Sequence, residues 1–169
     1  MVLYTGRGDR GETRAGKGCV PKDSETVEVI GEIDELVSLL GVLASESEKC
    51  REIERIISDL MSLNAHIVSG GEHRFRGDVG WLEERIDSLW REAGELNRFI
   101  LRFTDRLAST IHYARAVCRR VERRLVGFSR RAGWLDAGTL AYINRLSDYL
   151  FALARWTNRR RGGKEILWT

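Results

Sequence analysis

Apolar residues recur along most of this chain at intervals of three and four, the spacing of one face of an α-helix. From 24 to 46 the row is Val27, Ile30, Val37 and Leu40, with acidic residues in the first turn to complement the helix dipole. From 48 to 68 it is Ile53, Ile56, Ile57, Leu60, Leu63 and Ile67, closed by Ser69-Gly70-Gly71. The stretch 78–93 carries Leu82, Ile86, Leu89 and Trp90, followed by a short apolar link, Phe99-Ile100-Leu101. Leu107, Ile111, Ala114, Cys118, Val121, Leu125 and Phe128 mark a helix over 104–131. At 1.5 Å per residue it runs on the order of 40 Å. The last row, over 136–161, is Leu140, Ile143, Leu146, Leu150, Leu153 and Ala154. The single proline, Pro21, precedes all five patterns, so nothing after it breaks a helix in that way. The predicted fold is all-α, an up-and-down five-helix bundle over 24–161. Ahead of it, residues 1–22 form a glycine-rich loop or arm, with five glycines in the first 18 positions and almost no apolar periodicity.

The 169 residues suit a single domain, and 43% hydrophobic with 31% charged residues is enough for a core and too apolar for a disordered chain. No run approaches the roughly 20 apolar residues of a membrane span and no signal-peptide pattern opens the chain, so the expected address is cytoplasmic. Cys19, Cys50 and Cys118 form no CxxC pair and the three histidines lie far apart, so reduced, mostly buried thiols are expected rather than disulfides or zinc ligands.

Charge is distributed unevenly. Residues 22–60 hold 11 acids and 4 bases; residues 98–131 hold 10 bases and 2 acids. The two segments are expected to face each other, within a chain or between chains, whereas a nucleic-acid binder leaves its basic face unopposed. Of the 28 basic residues 24 are arginine, the side chain suited to fixed, bidentate pairing with carboxylate or phosphate.

Some charges fall where a bundle does not want them. Asp34 interrupts the row Val27, Ile30, Val37, Gly41, and Arg115 the row Ile111, Cys118, Leu125. Each is costly unless paired, so each marks either a structural salt bridge or a face turned to another subunit or a polar cleft. Arg115, Arg119 and Arg123 recur every four residues, with Glu122 beside them and Arg120 flanking. Such a row is either a solvated basic face or a binding strip for a polyphosphate. Asn144 and Asp148 lie one turn apart on a mostly apolar face, where they read first as polar groups satisfied by neighbours.

The string Gly6-Arg7-Gly8-Asp9-Arg10-Gly11 spells a dinucleotide fingerprint, but no strand and helix of a parallel sheet surround it. A Walker A loop is absent as well. What remains is either a basic tail or a phosphate-binding arm, in which glycines let backbone amides converge and Arg7, Arg10 and Arg14 add charge.

Three blocks of sequence resemble the ATP:cob(I)alamin adenosyltransferases of the propanediol-utilisation (PduO) type. They are Tyr4-Thr5-Gly6-Arg7-Gly8-Asp9-Arg10-Gly11, then Gly31-Glu32-Ile33-Asp34-Glu35-Leu36, and then Ala114-Arg115-Ala116-Val117-Cys118-Arg119-Arg120-Val121-Glu122-Arg123-Arg124 followed by Asn144-Arg145-Leu146-Ser147-Asp148-Tyr149-Leu150-Phe151. The resemblance covers nearly all of 1–169 as one adenosyltransferase domain, with 1–22 as its nucleotide-binding arm. It departs from the family where a lysine is usual at Gly6, and where Pro-Gly-Gly is usual at Arg102-Phe103-Thr104.

The resemblance implies a homotrimer of five-helix bundles with active sites between neighbours. ATP would lie against Thr5, Gly6, Arg7, Gly8, Thr13, Arg14 and Lys22. Its triphosphate would meet Arg119, Arg120 and Arg123, with Glu122 nearby, Asn144 near the nucleotide, and Mg2+ accompanying the phosphates. Asp34 and Arg115 match a pair that joins neighbouring subunits, and Asp148 a position important for activity; with Arg119 these are the expected catalytic residues. Phe99 matches the aromatic that crowds the lower face of cobalamin. The implied chemistry is attack of Co(I) on the ribose 5′ carbon of ATP, with triphosphate leaving, so that the cofactor supplies the nucleophile. No protein metal ligand, nucleic acid or membrane is expected; a reductase and an adenosylcobalamin-dependent client enzyme are the implied partners. The alternatives are a non-catalytic carrier of adenosylcobalamin and, more remotely, a nucleic-acid-binding bundle.

Overall fold

The apolar rows become helices with ends set by local chemistry. The structure, a computed structural model, describes residues 4, 6, 8–16 and 18–168. Its helices are α1 (Glu25–Glu46), α2 (Cys50–Val68), α3 (Val79–Ala93), α4 (Arg106–Ala132) and α5 (Ala137–Arg160), within two residues of the expected bounds at every end. Asp78, Asp105 and Asp136 cap the last three by accepting from Trp81 N–H, Ala108 N–H and Thr139 N–H at 3.0, 2.9 and 2.8 Å. Gly133, left-handed at φ 73°, stops α4.

Short connections at 47–49 and 133–136 fold α1 back on α2 and α4 back on α5 as helical hairpins. Helix α4 packs against both α1 and α5, and α3 covers α5. The core runs through Ile33, Leu36, Leu40, Leu60, Leu63, Val121, Leu146 and Leu150, all fully buried. The acidic and basic segments do face each other within the chain. Arg131 pairs with Glu25, Arg124 with Glu28 and Glu32 at 3.9 and 2.9 Å, and Arg120 with Glu35 and Glu32.

Several expectations need correction. The buried row of α1 is Val29, Ile33, Leu36, Leu40 and Leu43. The row containing Asp34 is therefore a neighbouring face; Val27, Ile30 and Val37 on it are half-buried and Asp34 is exposed. The fold is not purely helical. Within the arm, β1 (Glu12–Ala15) and β2 (Gly18–Pro21) form an antiparallel hairpin, and the link after α3 becomes β3 (Ile100–Phe103), paired with β4 (Glu165–Leu167). The cysteines are free, as expected, but only Cys118 is buried; Cys19 is exposed and Cys50 half-buried. No described helix is long and apolar enough to cross a membrane.

Candidate active site

Helix α4 turns one face toward α1 and another toward the α5 groove, and its arginines divide accordingly. Arg120, which flanks the row, is taken up within the chain by Glu35 and Glu32 of α1. Arg119 and Arg123 point outward, exposed, and make no ion pair among the described residues. Like charges one turn apart repel, so this strip is left with unspent donors and a positive field. Arg115, one turn earlier, is half-buried, its guanidinium 5.2 Å from the Phe151 ring centroid. Burial pulls its pKa below the ordinary arginine value; Arg119 adds to that and Asp148 opposes it.

Glu122 and Asn144 are brought together as grouped, with Asn144 Nδ2 donating to Glu122 Oε1 at 2.9 Å. The network continues from Arg145 Nη1 to Asn144 Oδ1 at 3.1 Å, then to Glu83 at 2.8 Å and Asp148 at 3.6 Å. Asn144 and Asp148 are thus satisfied by neighbours, but Asn144 is only half-buried and neither lies in the core. They belong to a polar ladder that runs from Glu122 of α4 across α5 to Glu83 of α3, and Asp148 is exposed.

Beside this ladder lie two adjoining hollows that share Phe151. One, of about 470 Å³, is lined by Leu96, Phe99, Ile100, His112, Arg115 and Phe151 among others. The second, of about 520 Å³, is lined by Ile86, Trp90, Arg145, Asp148 and Phe151 with acidic neighbours. Phe99 stands at the mouth of the first, 79% exposed, although its backbone carbonyl accepts from Trp168 N–H at 2.8 Å. The combination of aromatic walls and an arginine rim suits a large, flat, mostly apolar ligand with an anion at its edge.

His112, Trp90, Arg145 and Phe151 also line these hollows, and the sequence reading gave none of them a role in the site. His112 packs edge-on against Phe103 at 5.3 Å and beside Phe151 at 6.0 Å, with Nδ1 buried and unpartnered among the described residues. Burial, and then the charge on Arg115, hold its pKa below the usual histidine value. One signal was available: His112 lies three residues before Arg115, on the same side of α4.

The arm is a separate half. Thr5 and Arg7 lie outside the described residues. Gly6 adopts φ 66°, and at Gly8 an added Cβ would stand 3.2 Å from Lys22 Nζ, so glycine lets the lysine ammonium lie against the backbone. Thr13 and Arg14 are in β1, Arg14 exposed. Among the described residues, no hydrogen bond or ion pair joins the arm to the arginine row, and Asp34 makes none with Arg115. No three His, Cys, Asp or Glu side chains converge to hold a metal ion among the described residues.

The cobalamin adenosyltransferase family model matches residues 3–157. The corrinoid adenosyltransferase of Bacillus subtilis (strain 168) is 37% identical, over 96% of this chain and 89% of that protein. The human corrinoid adenosyltransferase is 34% identical, over 98% of this chain and 72% of that one. A variant PduO-type ATP:corrinoid adenosyltransferase from Lactobacillus reuteri, solved with cobalamin and ATP, superposes with a TM-score of 0.90 at 33% identity, covering 99% of this chain and 96% of that one. Another variant from that organism, complexed with ATP, gives the same TM-score over all of its length. With a family model spanning most of its length, and relatives a third identical from end to end, the chain belongs to the cobalamin adenosyltransferases.

Proposed function

We propose that this protein transfers the 5′-deoxyadenosyl group of ATP to the cobalt of a reduced corrinoid, at a site assembled between neighbouring copies of the chain. The cobalt of Co(I) donates its electron pair to C5′, the C5′–O bond breaks, and triphosphate leaves with that bond's electrons. The protein contributes position and charge rather than a nucleophile. Arg119 and Arg123 meet the triphosphate as it departs, which is where preorganised donors lower the barrier. Glu122 and Asn144, joined at 2.9 Å, orient the nucleotide end of the groove. Thr5, Gly6, Arg7, Gly8, Thr13, Arg14 and Lys22 cradle ATP from the arm. The hollow under Phe99 takes the corrin, with Phe99 excluding water and a lower ligand from the cobalt, and Asp148 stands at the groove beside it. Arg120, held by two carboxylates, shapes the strip and reaches the phosphates only by leaving Glu35. Glu122 is the carboxylate in the strip that would help hold a magnesium ion bound to the phosphates, and such an ion would supply further positive charge to the departing triphosphate.

The observation that carries the reading is the incompleteness of the single chain. The unpaired arginine row with its aromatic hollow and the glycine-lysine arm make no hydrogen bond or ion pair with each other, and Asp34 is exposed and in no ion pair, among the described residues. A homotrimer, with Asp34 of one copy meeting Arg115 of the next, closes these halves into one site. The proposal takes 1–169 as one domain. It sets the protein in a reducing, cytoplasmic compartment, in keeping with three free cysteines, and expects a corrinoid reductase upstream and an adenosylcobalamin-dependent enzyme downstream.

The test is an anaerobic assay with ATP, magnesium and chemically reduced cobalamin, following absorbance as the cobalt–carbon bond forms. Adenosylcobalamin and triphosphate appear in equal amounts if the reading is right. Binding of both ligands without product would replace it with the carrier reading.

A further inference from the structure

Arg155 is only 1% exposed in the C-terminal third of α5, and it heads the fully buried side chains by size among the described residues. A guanidinium stays charged at any ordinary pH, so in such a place every donor must be met. Its Nε donates to Glu165 Oε1 at 2.8 Å and its Nη2 to Glu165 Oε2 at 3.4 Å. Nη1 donates to the Gly94 carbonyl at 3.0 Å, and Nη2 reaches the Glu95 carbonyl at 3.4 Å. The planar group also lies 4.5 Å from the Trp90 ring centroid. One side chain thus ties together α5, the end of α3, the loop after it, and the carboxyl-terminal strand β4.

That loop carries Phe99. It begins at the carbonyls of Gly94 and Glu95, which Arg155 holds, and ends at the Phe99 carbonyl, which Trp168 N–H holds at 2.8 Å. Trp168 directly follows β4, and β4 is itself fastened to Arg155 through Glu165. Further bonds bind the same strand: Lys164 N–H donates to Thr104 Oγ1 at 2.7 Å, and Thr104 N–H to the Lys164 carbonyl at 3.1 Å. The side chain of Phe99, 79% exposed, has little packing to fix it, so its place over the hollow must be set through the backbone.

We infer that Arg155 and Glu165 are positioning residues for the corrinoid half of the site, fixing both ends of the 94–99 loop so that Phe99 stands over the hollow. The inference rests on the reading of that hollow as the corrinoid pocket. Neither residue touches substrate. Their action is exerted through the loop and through β4.

Four variants of the full chain test it, each read as separate KM values for cob(I)alamin and for ATP, with far-UV circular dichroism and thermal melting to report the fold. Glu165→Gln leaves the Arg155 charge buried without its partner. Trp168→Pro removes the N–H that holds the Phe99 carbonyl, at an exposed position that cannot disturb the core, and Trp168→Ala keeps that N–H. Phe99→Ala tests the pocket itself. The expected result is a rise of about tenfold in KM for cob(I)alamin for both Glu165→Gln and Trp168→Pro, with KM for ATP within about twofold, because sub-ångström misplacement acts on the ligand it faces. Trp168→Ala is expected to stay near the parent. If Glu165→Gln does not fold, Trp168→Pro against Trp168→Ala decides alone. Unchanged cob(I)alamin KM in both Glu165→Gln and Trp168→Pro, with a raised value in Phe99→Ala, overturns the positioning role and leaves the pocket reading intact. An equal rise in both KM values also overturns it, as general loosening. No effect of Phe99→Ala on cob(I)alamin overturns the pocket reading, and this inference with it.

Discussion

His112 shows how a single side chain can be set by its surroundings for one protonation state. It lies against Phe103 and Phe151, with Arg115 one turn away, and its Nδ1 is shut off from solvent. Burial first, and then the arginine charge, disfavour the imidazolium, so the folded chain holds the ring neutral at lower pH than the unfolded chain does. Below the ordinary value of 6.5 the unfolded chain therefore binds the extra proton, and stability falls as pH drops through the window between 6.5 and the lower folded value. His112→Gln should flatten that limb of the curve, measured by denaturant unfolding at a series of pH values. Parallel curves for parent and variant would show that another group controls it. At this scale the sequence was partly legible. The row of Arg115, Arg119 and Arg123 was visible as charges at helical spacing, whereas the Asn144–Glu122 bond joins two helices and spacing along either one does not announce it. The row through Asp34 was taken for the apolar stripe of α1, whereas its neighbour is the buried one, because α1 carries two adjacent apolar rows and only packing against α2 and α4 selects which is buried. His112 escaped notice because nothing in a lone histidine's sequence reveals the aromatic rings that close around it.

The helices owe their ends to caps, and one cap also joins two elements. Asp105 accepts from Ala108 N–H at 2.9 Å at the start of α4 and pairs with Arg161, just past α5, at 2.9 Å. Burial raises its pKa, but the backbone N–H and the arginine outweigh that, so the net shift is downward. A depressed carboxylate stabilises the fold above its unfolded value of 3.8 and loses that contribution as pH falls toward the folded value. Asp105→Ala is expected to cost about 1 kcal/mol at pH 7. That corresponds to roughly 2–4 °C in melting temperature for a chain of this size. The gap should narrow once pH falls below 3.8. An undiminished gap at acid pH would mean that packing rather than the ionised cap is responsible. All five helices were legible from periodicity, since rows of 15 to 27 residues repeat the signal many times. The strands were not. β3 and β4 have four and three residues and find each other across more than 60 positions, so neither carries a period of its own. The arm hairpin was hidden by its glycines. These let the turns form, with Gly16 against the Val68 carbonyl leaving no room for a Cβ, but they carry no apolar alternation to announce a strand.

At the scale of the whole molecule, the ion pairs between α1 and α4 still leave charges on those two helices that the fold does not explain. The α1 carboxylates neutralise Arg120, Arg124 and Arg131, so the opposed acidic and basic segments are largely an internal matter. On these two helices the charges in no ion pair among the described residues include Asp34 on α1, and Arg119 and Arg123 on α4 with the half-buried Arg115. The arm likewise makes no hydrogen bond or ion pair to the row among the described residues. If one copy supplies Asp34 and the next supplies Arg115 and Arg119 to each site, then Asp34→Asn and Arg119→Ala damage opposite sides of it. Each variant alone has every site defective. In a ring assembled from an equal mixture, a site is intact wherever an Arg119→Ala chain offers its Asp34 to an Asp34→Asn chain that offers its Arg119. Random assembly makes that about one site in four, whatever the number of chains in the ring. Unfolding and refolding the two variants together should thus recover about a quarter of the parent's adenosyl transfer, while each refolded alone stays inactive. If both groups act within one chain, no arrangement of mixed copies contains an intact site, and the mixture will be as inactive as its components.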